Sequence, residues 1–260
     1  MTDFPTGKPH ISYSEVKTWT ECGWRHKLTY IDKVDLPFDS PHADFGTAVH
    51  AGVESYLKIR QMDTEKVHVS LESVLKEKGR EDVEKWKGWA TVVLTDMPTF
   101  LDTEFPGWEL LGAELNLYED IPNETVKFKG FVDCVLRVPL GNDKWKVWII
   151  DWKTGPAYGW RAEKRQDPLT VAQLYLYKDY LLRKLGLESR NVGVAFAVLK
   201  KGAKPGKSID RIDVSAGPAA LEKGSKLVMN MVNGVRRGKF LKNKYACEWC
   251  DYAKSGHCTR

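Results

Sequence analysis

The sequence predicts a mixed α/β fold, and three observations carry that reading. Residues 11–104 are dominated by helical patterning. Residues 108–151 then change to strand-like composition with period-two alternation, and a helix–strand–strand–helix succession follows. Helices, a strand meander and a return to alternating elements give a mixed sheet core flanked by helices.

Each element has a local cause. Ser12-x-x-Glu15 has the form of a capping box and opens a short helix running toward Cys22. In "FGTAVHAGVESYLKIR" (45–60), Phe45, Val49, Val53 and Tyr56/Leu57 recur at helical spacing, and Gly46 and Gly52 allow close approach of another backbone. The charged, Trp-bearing stretch 65–104 predicts two or three helices, an insertion or lobe (about 61–106) within a single domain spanning 1–260. "WELLGAELNLY" (108–118) and "VKFKGFVDCVLRV" (126–138) read as strands. In the second, Val126, Phe128, Val132, Cys134, Leu136 and Val138 share one phase. A third strand, "KWKVWIID" (144–151), follows the turn "PLGND".

Asp167 as N-cap and Pro168 at the first helical position start a helix that ends at Gly186. "VGVAFAVLK" (192–200) reads as a buried strand and "SIDRIDV" (208–214) as an exposed one. Pro218 opens a last helix to about Gly238, and the tail reads as a cysteine-bearing loop.

The 260 residues suffice for one sizeable core, and 42% hydrophobic with 29% charged residues is ordinary for a globular chain. A net charge of +5, with basic runs at 164–166, 200–207 and 236–244, leans toward anionic partners. "MTDFPTGKPH" lacks the apolar stretch of a signal peptide, and no window reaches the ~18 apolar residues of a membrane span. The expectation is a cytoplasmic protein without membrane association, in a compartment that disfavours structural disulfides. "GAKPGKS" (202–208) has three residues between its glycines where a phosphate-binding loop needs four, so no nucleotide cofactor is expected.

"WIIDWKTG" (148–155) is the informative stretch. Asp151 and Lys153 lie two apart on a strand and so project from one face, at a strand exit where sites of α/β sheets gather. Asp133 is out of phase with Val132, Cys134 and Leu136 on the preceding strand, a costly place for a carboxylate unless something pairs with it. His50 and Glu54, and Gln173 and Tyr177, are i, i+4 pairs on their helices. Clustered carboxylates suit Mg²⁺ or Mn²⁺, and a lysine beside them suits phosphodiester chemistry.

Cys247, Cys250 and Cys258 form C-x2-C-x7-C, which in a reducing compartment points to metal. Cys22 is available as a fourth ligand, leaving Cys134 in phase with the apolar side of its strand as a core residue. Zinc and iron–sulfur clusters both accept four thiolates, and His26 and His257 keep a zinc site with histidines open.

The series G-x-x-x-H (46–50), G-x-x-D (130–133), D-x-K-T-G (151–155) and Q-x-x-x-Y (173–177) resembles the RecB-like branch of the PD-(D/E)XK nuclease superfamily, which includes the nuclease domains of RecB and AddB and the CRISPR-associated exonucleases. The resemblance spans about residues 11–258 and implies a restriction-endonuclease-like sheet core. It implies His50, Asp133, Asp151 and the carbonyl of Trp152 as ligands of Mg²⁺ or Mn²⁺, and Lys153 as the residue that positions the attacking water. It further implies Gln173 and Tyr177 as contacts to the DNA backbone that support the site, and Glu114 as an acid on the preceding strand.

One distant cysteine with three near the C-terminus resembles the iron–sulfur staple of AddB. That implies [4Fe–4S], ahead of zinc, on Cys22, Cys247, Cys250 and Cys258, joining residue 22 to 245–260. Such a staple is worth on the order of 4–5 kcal/mol by loop entropy. The implied activity is a metal-dependent DNA exonuclease acting on single strands or ends in repair, recombination or phage DNA processing, with a separate helicase or a recombination or CRISPR protein as partner. A catalytically silent DNA-binding module and a structure-specific endonuclease are the alternatives.

Overall fold

The computed structural model describes residues 4–36 and 39–259. Strand β1 (His10–Ser12) leads into α1 (Tyr13–Glu21), α2 (Gly23–His26) and a π-helical turn at Lys27–Ile31. Helices α3 (Pro41–Ile59), α4 (Thr64–Glu77) and α5 (Val83–Glu104) precede β2 (Glu109–Asp120), β3 (Lys127–Gly141) and β4 (Lys144–Pro156). The chain continues through α6 (Ala162–Arg165), α7 (Pro168–Leu185), β5 (Val192–Lys201), β6 (Ile209–Asp213), α8 (Pro218–Arg236) and α9 (Asp251–Lys254).

The sheet is mixed, in the order β1-β3-β4-β5-β6 with β2 also paired to β3. β1/β3 and β4/β5 run parallel, and β3/β4 and β5/β6 antiparallel. The expected mixed α/β architecture is what the chain adopts.

Two compact units divide the chain. The larger comprises Asp39–Leu115 and Phe131–Gly217. Its strands sort by phase. Cys134, Leu136, Val138, Ile150, Trp152, Ala197 and Leu199 share one core with Phe45, Val49 and Val53 of α3 and with the apolar faces of α4 and α5. Residues of the opposite phase, Val135 and Ile149, are cross-strand partners and both fully buried. Two helices fill the stretch 65–104, and they complete the core of this unit.

The glycines of α3 act differently from the expectation. A Cβ on Gly52 would fall 2.6 Å from Val67 Cγ2, and one on Gly46 would lie 3.6 Å from the Thr154 side chain. Neighbouring side chains, rather than another backbone, approach there.

The smaller unit holds the chain before Asp39, Asn116–Gly130 and the chain from Pro218 onward. Ser12 caps α1 by accepting from the Glu15 amide at 3.3 Å. The Glu15 carboxylate turns inward instead of closing a capping box: its Oε1 lies 3.0 Å from His26 Nε2, with both side chains at most 2% exposed. Trp19 packs so closely on α8 that a Cβ at Gly234 would sit 2.2 Å from its ring. The tail is more regular than a loop, with a 3-10 helix at Lys244–Trp249 before α9. Among the described residues, no helix is long and apolar enough to cross a membrane.

Candidate active site

All the residues singled out for metal-dependent chemistry lie in the larger unit. β3 and β4 pair antiparallel through Cys134↔Ile150, so Asp133 and Asp151 stand one step beyond that pair on adjacent strands. Their phase matches the Val135↔Ile149 pair, so both project from the face opposite the α3–α5 core. Asp133 is fixed from below: the Trp152 amide donates to its Oδ2 at 2.7 Å. Trp152 itself points the other way, 2% exposed within the core.

Asp151 is 1% exposed, and its Oδ2 lies 2.6 Å from Lys153 Nζ. The two stand side by side as period-two alternation requires. Gly155, which closes the D-x-K-T-G motif, has no room for a side chain, since a Cβ would lie 2.6 Å from Val198 Cγ1 on β5 and 3.4 Å from the Trp160 ring.

From α3, His50 brings Nδ1 to 3.9 Å from Asp133 Oδ2. Glu54, one turn further, forms an ion pair with Lys58. On α7, which the Asp167 carboxylate caps at the Thr170 amide, Gln173 Nε2 donates to the Tyr177 hydroxyl at 3.0 Å. Tyr177 is 6% exposed.

Glu114 has a feature no sequence pattern announced. Its φ is +50°, in the left-handed region that only glycine adopts without strain. Alternation along β2 changes phase around it, from exposure at Glu109 and Leu111 to exposure at Asn116 and Tyr118, the signature of a bulge. The phase shift aims Glu114 toward the site, where it feels the Glu54 and Asp151 carboxylates.

Electrostatics tie the cluster together. Burial, then the Asp151 charge, pushes the Asp133 carboxyl well above the usual carboxylate range, and burial raises Asp151 against the pull of Lys153. Burial, then Glu54 and Asp151, raises Glu114. The Tyr177 phenol is raised by burial and by the Asp151, Asp133 and Glu114 charges. Burial opposes the charge on Lys153, but Asp151 beside it wins and holds the ammonium above its ordinary value. His50 is lowered to about 4 by burial and by Lys153, which leaves a neutral imidazole at neutral pH.

This donor set fits a divalent cation. Asp151 Oδ1 is buried without a hydrogen-bond partner, the acids repel one another, and the imidazole keeps its lone pair. As the side chains stand, no group of three or more His, Cys, Asp or Glu among the described residues is closed around a common point. Asp133 is turned to the Trp152 amide and Asp151 to Lys153, so neighbouring donors point at protein partners.

In the smaller unit Cys22, Cys247, Cys250 and Cys258 line one cavity together with Trp24 and Leu28. All are free thiols, and Cys134 is a core residue of the other unit, as its phase predicts. The segments around the cavity are joined by main-chain groups: Trp24 N donates to Leu241 O at 3.1 Å, and Asn243 N donates to Cys22 Sγ at 3.4 Å. A Cβ on Gly23 would come within 3.0 Å of Leu241 N. Neither histidine weighed as a zinc ligand lines the cavity. His26 is buried against Glu15 and stacks on Tyr30, and His257 pairs with the Ser255 hydroxyl.

No curated protein matches the chain. Among solved structures, an Eubacterium rectale protein provisionally described as an exonuclease superposes with a TM-score of 0.58 at 12% identity, covering 97% of this chain and 90% of that one. SSO0001 matches at a TM-score of 0.36 and 15% identity, over 82% of this chain and 95% of its own, too distant to bear on the fold. The sequence profile of the PD-(D/E)XK nuclease superfamily matches residues 10–255, nearly the whole chain. With that match, and with adjacent-strand carboxylates beside a lysine in the larger unit, the chain belongs to the PD-(D/E)XK nuclease superfamily.

Proposed function

We propose that this chain is a Mg²⁺- or Mn²⁺-dependent deoxyribonuclease of the RecB-like branch, working as an exonuclease on single-stranded DNA or DNA ends. The observation that carries the reading is the Asp133–Asp151–Lys153 arrangement, a half-buried and a buried acid on adjacent strands with an ammonium 2.6 Å from the buried one and His50 alongside.

His50, Asp133, Asp151 and the Trp152 carbonyl would hold the cation, with Glu114 as a further acid. When bound, the cation supplies Lewis-acid polarisation of the phosphoryl oxygen and an acidified water. Lys153 orients the attacking water and counters charge developing on phosphorus. His50, neutral at working pH, donates a lone pair rather than a like charge. The Trp152 amide keeps the Asp133 carboxylate in one orientation. Half-buried Gln173 contacts the DNA backbone, while the largely buried Tyr177 supports it through their mutual hydrogen bond.

We assign Cys22, Cys247, Cys250 and Cys258 to a structural [4Fe–4S] cluster, with zinc as the other occupant. Support comes from the shared cavity, from the N–H···S bond to Cys22, a contact common around cluster sulfurs, and from the absence of either histidine from the lining. Such thiols belong in a reducing cytoplasm. A separate helicase, or a recombination or CRISPR protein, fits as partner.

The test is digestion of DNA labelled separately at its 5′ and 3′ ends, with Mg²⁺, Mn²⁺ or EDTA. Metal-dependent loss of label from an end supports the reading. Internal cuts alone would make it a structure-specific endonuclease. Absence of cleavage with every metal would leave a catalytically silent module of the same fold. Metal analysis and visible absorbance of anaerobically purified protein decide between iron and zinc.

A further inference from the structure

We propose that the cysteine-bearing segment Leu241–Trp249 is a stacking platform for single-stranded DNA, with Tyr245 and Trp249 receiving nucleobases and Lys239, Lys242 and Lys244 the phosphates. The inference deepens the nuclease reading above and rests on it for the identity of the ligand.

Three observations in the smaller unit meet here. Leu241, Tyr245 and Trp249 are 80%, 94% and 74% exposed. Single exposed apolar residues need no explanation, but three within nine residues, two of them large aromatics, make a patch that water does not favour. The backbone beneath is held rather than loose. The Asn243 side-chain Oδ1 accepts from the Tyr245 amide, and its Nδ2 donates to Glu21 O at 3.0 Å. Along the same stretch Cys247 and Cys250 are buried, while Tyr245 and Trp249 stand exposed.

Charge selects the occupant. From Arg236 to Trp249 there are five basic residues and one acid, the exposed Glu248, so the segment is positive on balance. Lys239, Lys242 and Lys244 are exposed, although Lys242 also reaches Thr259 O. A protein partner would favour an apolar patch depleted of lysine at its centre, whereas lysines interleaved with aromatics suit a polyanion of flat rings. A duplex keeps its ring faces covered, so only a single strand can offer them.

The test measures anisotropy of a fluorescein-labelled oligothymidylate and of a blunt duplex in buffer without added divalent cation, using the whole chain with its metals as isolated. Y245A/W249A should weaken single-strand binding at least about 10-fold and leave duplex binding within about 3-fold. Y245F/W249F should restore it to within about 3-fold. Replacing the three lysines by Gln should reduce the salt dependence of log K by about 2. Single-strand binding by Y245A/W249A equal to that of the wild type overturns the platform, as does an equal loss on both substrates.

Cleavage with Mg²⁺ is scored separately. A wild type that binds the strand selectively but cuts nothing refutes the nuclease reading and keeps the platform. A wild type that cuts, with binding indifferent to both rings, does the reverse.

Discussion

Lys153 Nζ lies 2.6 Å from Asp151 Oδ2, on the same face of β4 and two residues further along it. The Asp151 carboxylate is shut away from water, and the Lys153 side chain, 32% exposed, supplies its counter-charge. Lys153→Ala should lower the cleavage rate at least about 100-fold, the usual scale for removing a group that stabilises transition-state charge. Lys153→Arg should not restore it, because a planar fork cannot replace a compact ammonium. Initial rates on labelled DNA, with circular dichroism to verify folding, measure both.

Asp133 supplies a test in which stability and activity part ways. Its carboxyl is held above the ordinary value by burial and by Asp151, so the folded state binds its proton more tightly than the unfolded chain does. The contribution of this group to stability is therefore fully present below the unfolded value and is lost as pH rises through the folded one. Asp133→Asn removes that loss and can still accept from the Trp152 amide. At neutral pH in EDTA its Tm should exceed that of the wild type by about 2–4 °C, roughly 1 kcal/mol, while cleavage is lost. Mn²⁺ should raise the Tm of the wild type and not of the variant. A variant less stable than the wild type in EDTA would contradict this account.

Glu114 inverts a familiar ranking. In an ordinary strand Gly is less stable than Ala, but φ of +50° favours Gly there. Glu114→Gly should be more stable than Glu114→Ala by about 1 kcal/mol in denaturant titrations, and both should cut DNA more slowly than the wild type.

Gly155→Ala should reduce both stability and cleavage. Its methyl would enter a 2.6 Å contact with Val198, and relief requires β4 and β5 to shift directly beyond Lys153. A cost of about 1–3 kcal/mol is expected from chemical denaturation.

On the proposed four-thiolate site, Cys22→Ser should reduce the metal bound per chain and lower Tm, since Cys22 is far in sequence from the other three thiols. Inductively coupled plasma analysis alongside calorimetry reads both effects. Full metal content in this variant would exclude Cys22 as a ligand.

The parts of the site that were legible in the sequence are those set by strand periodicity. Asp151 and Lys153 share a face because they are two apart, and Asp133 stood out because it broke the phase of Val132, Cys134 and Leu136. Long-range choices were not legible. Glu15 sits where a capping box would use it, and only folding shows that burial beside His26 takes its carboxylate instead. The bulge at Glu114 escaped notice because no glycine marks it. The reason for Gly155 lies across the sheet in Val198, 43 residues on in the chain.

Trp152 separates Asp151 from Lys153 and faces the other way, into the core that α4 and α5 complete. Those two helices coincide with the stretch that reads in sequence as an insertion or lobe. Trimming them away would bare the rear wall of the strands that carry Asp133 and Asp151, including Cys134, Ile150 and Trp152, where each large side chain is worth about 1.5–3 kcal/mol when kept dry. A minimal enzyme cut back to its motifs would therefore clump in solution before it could be assayed, and the smallest workable version of this nuclease must carry both helices.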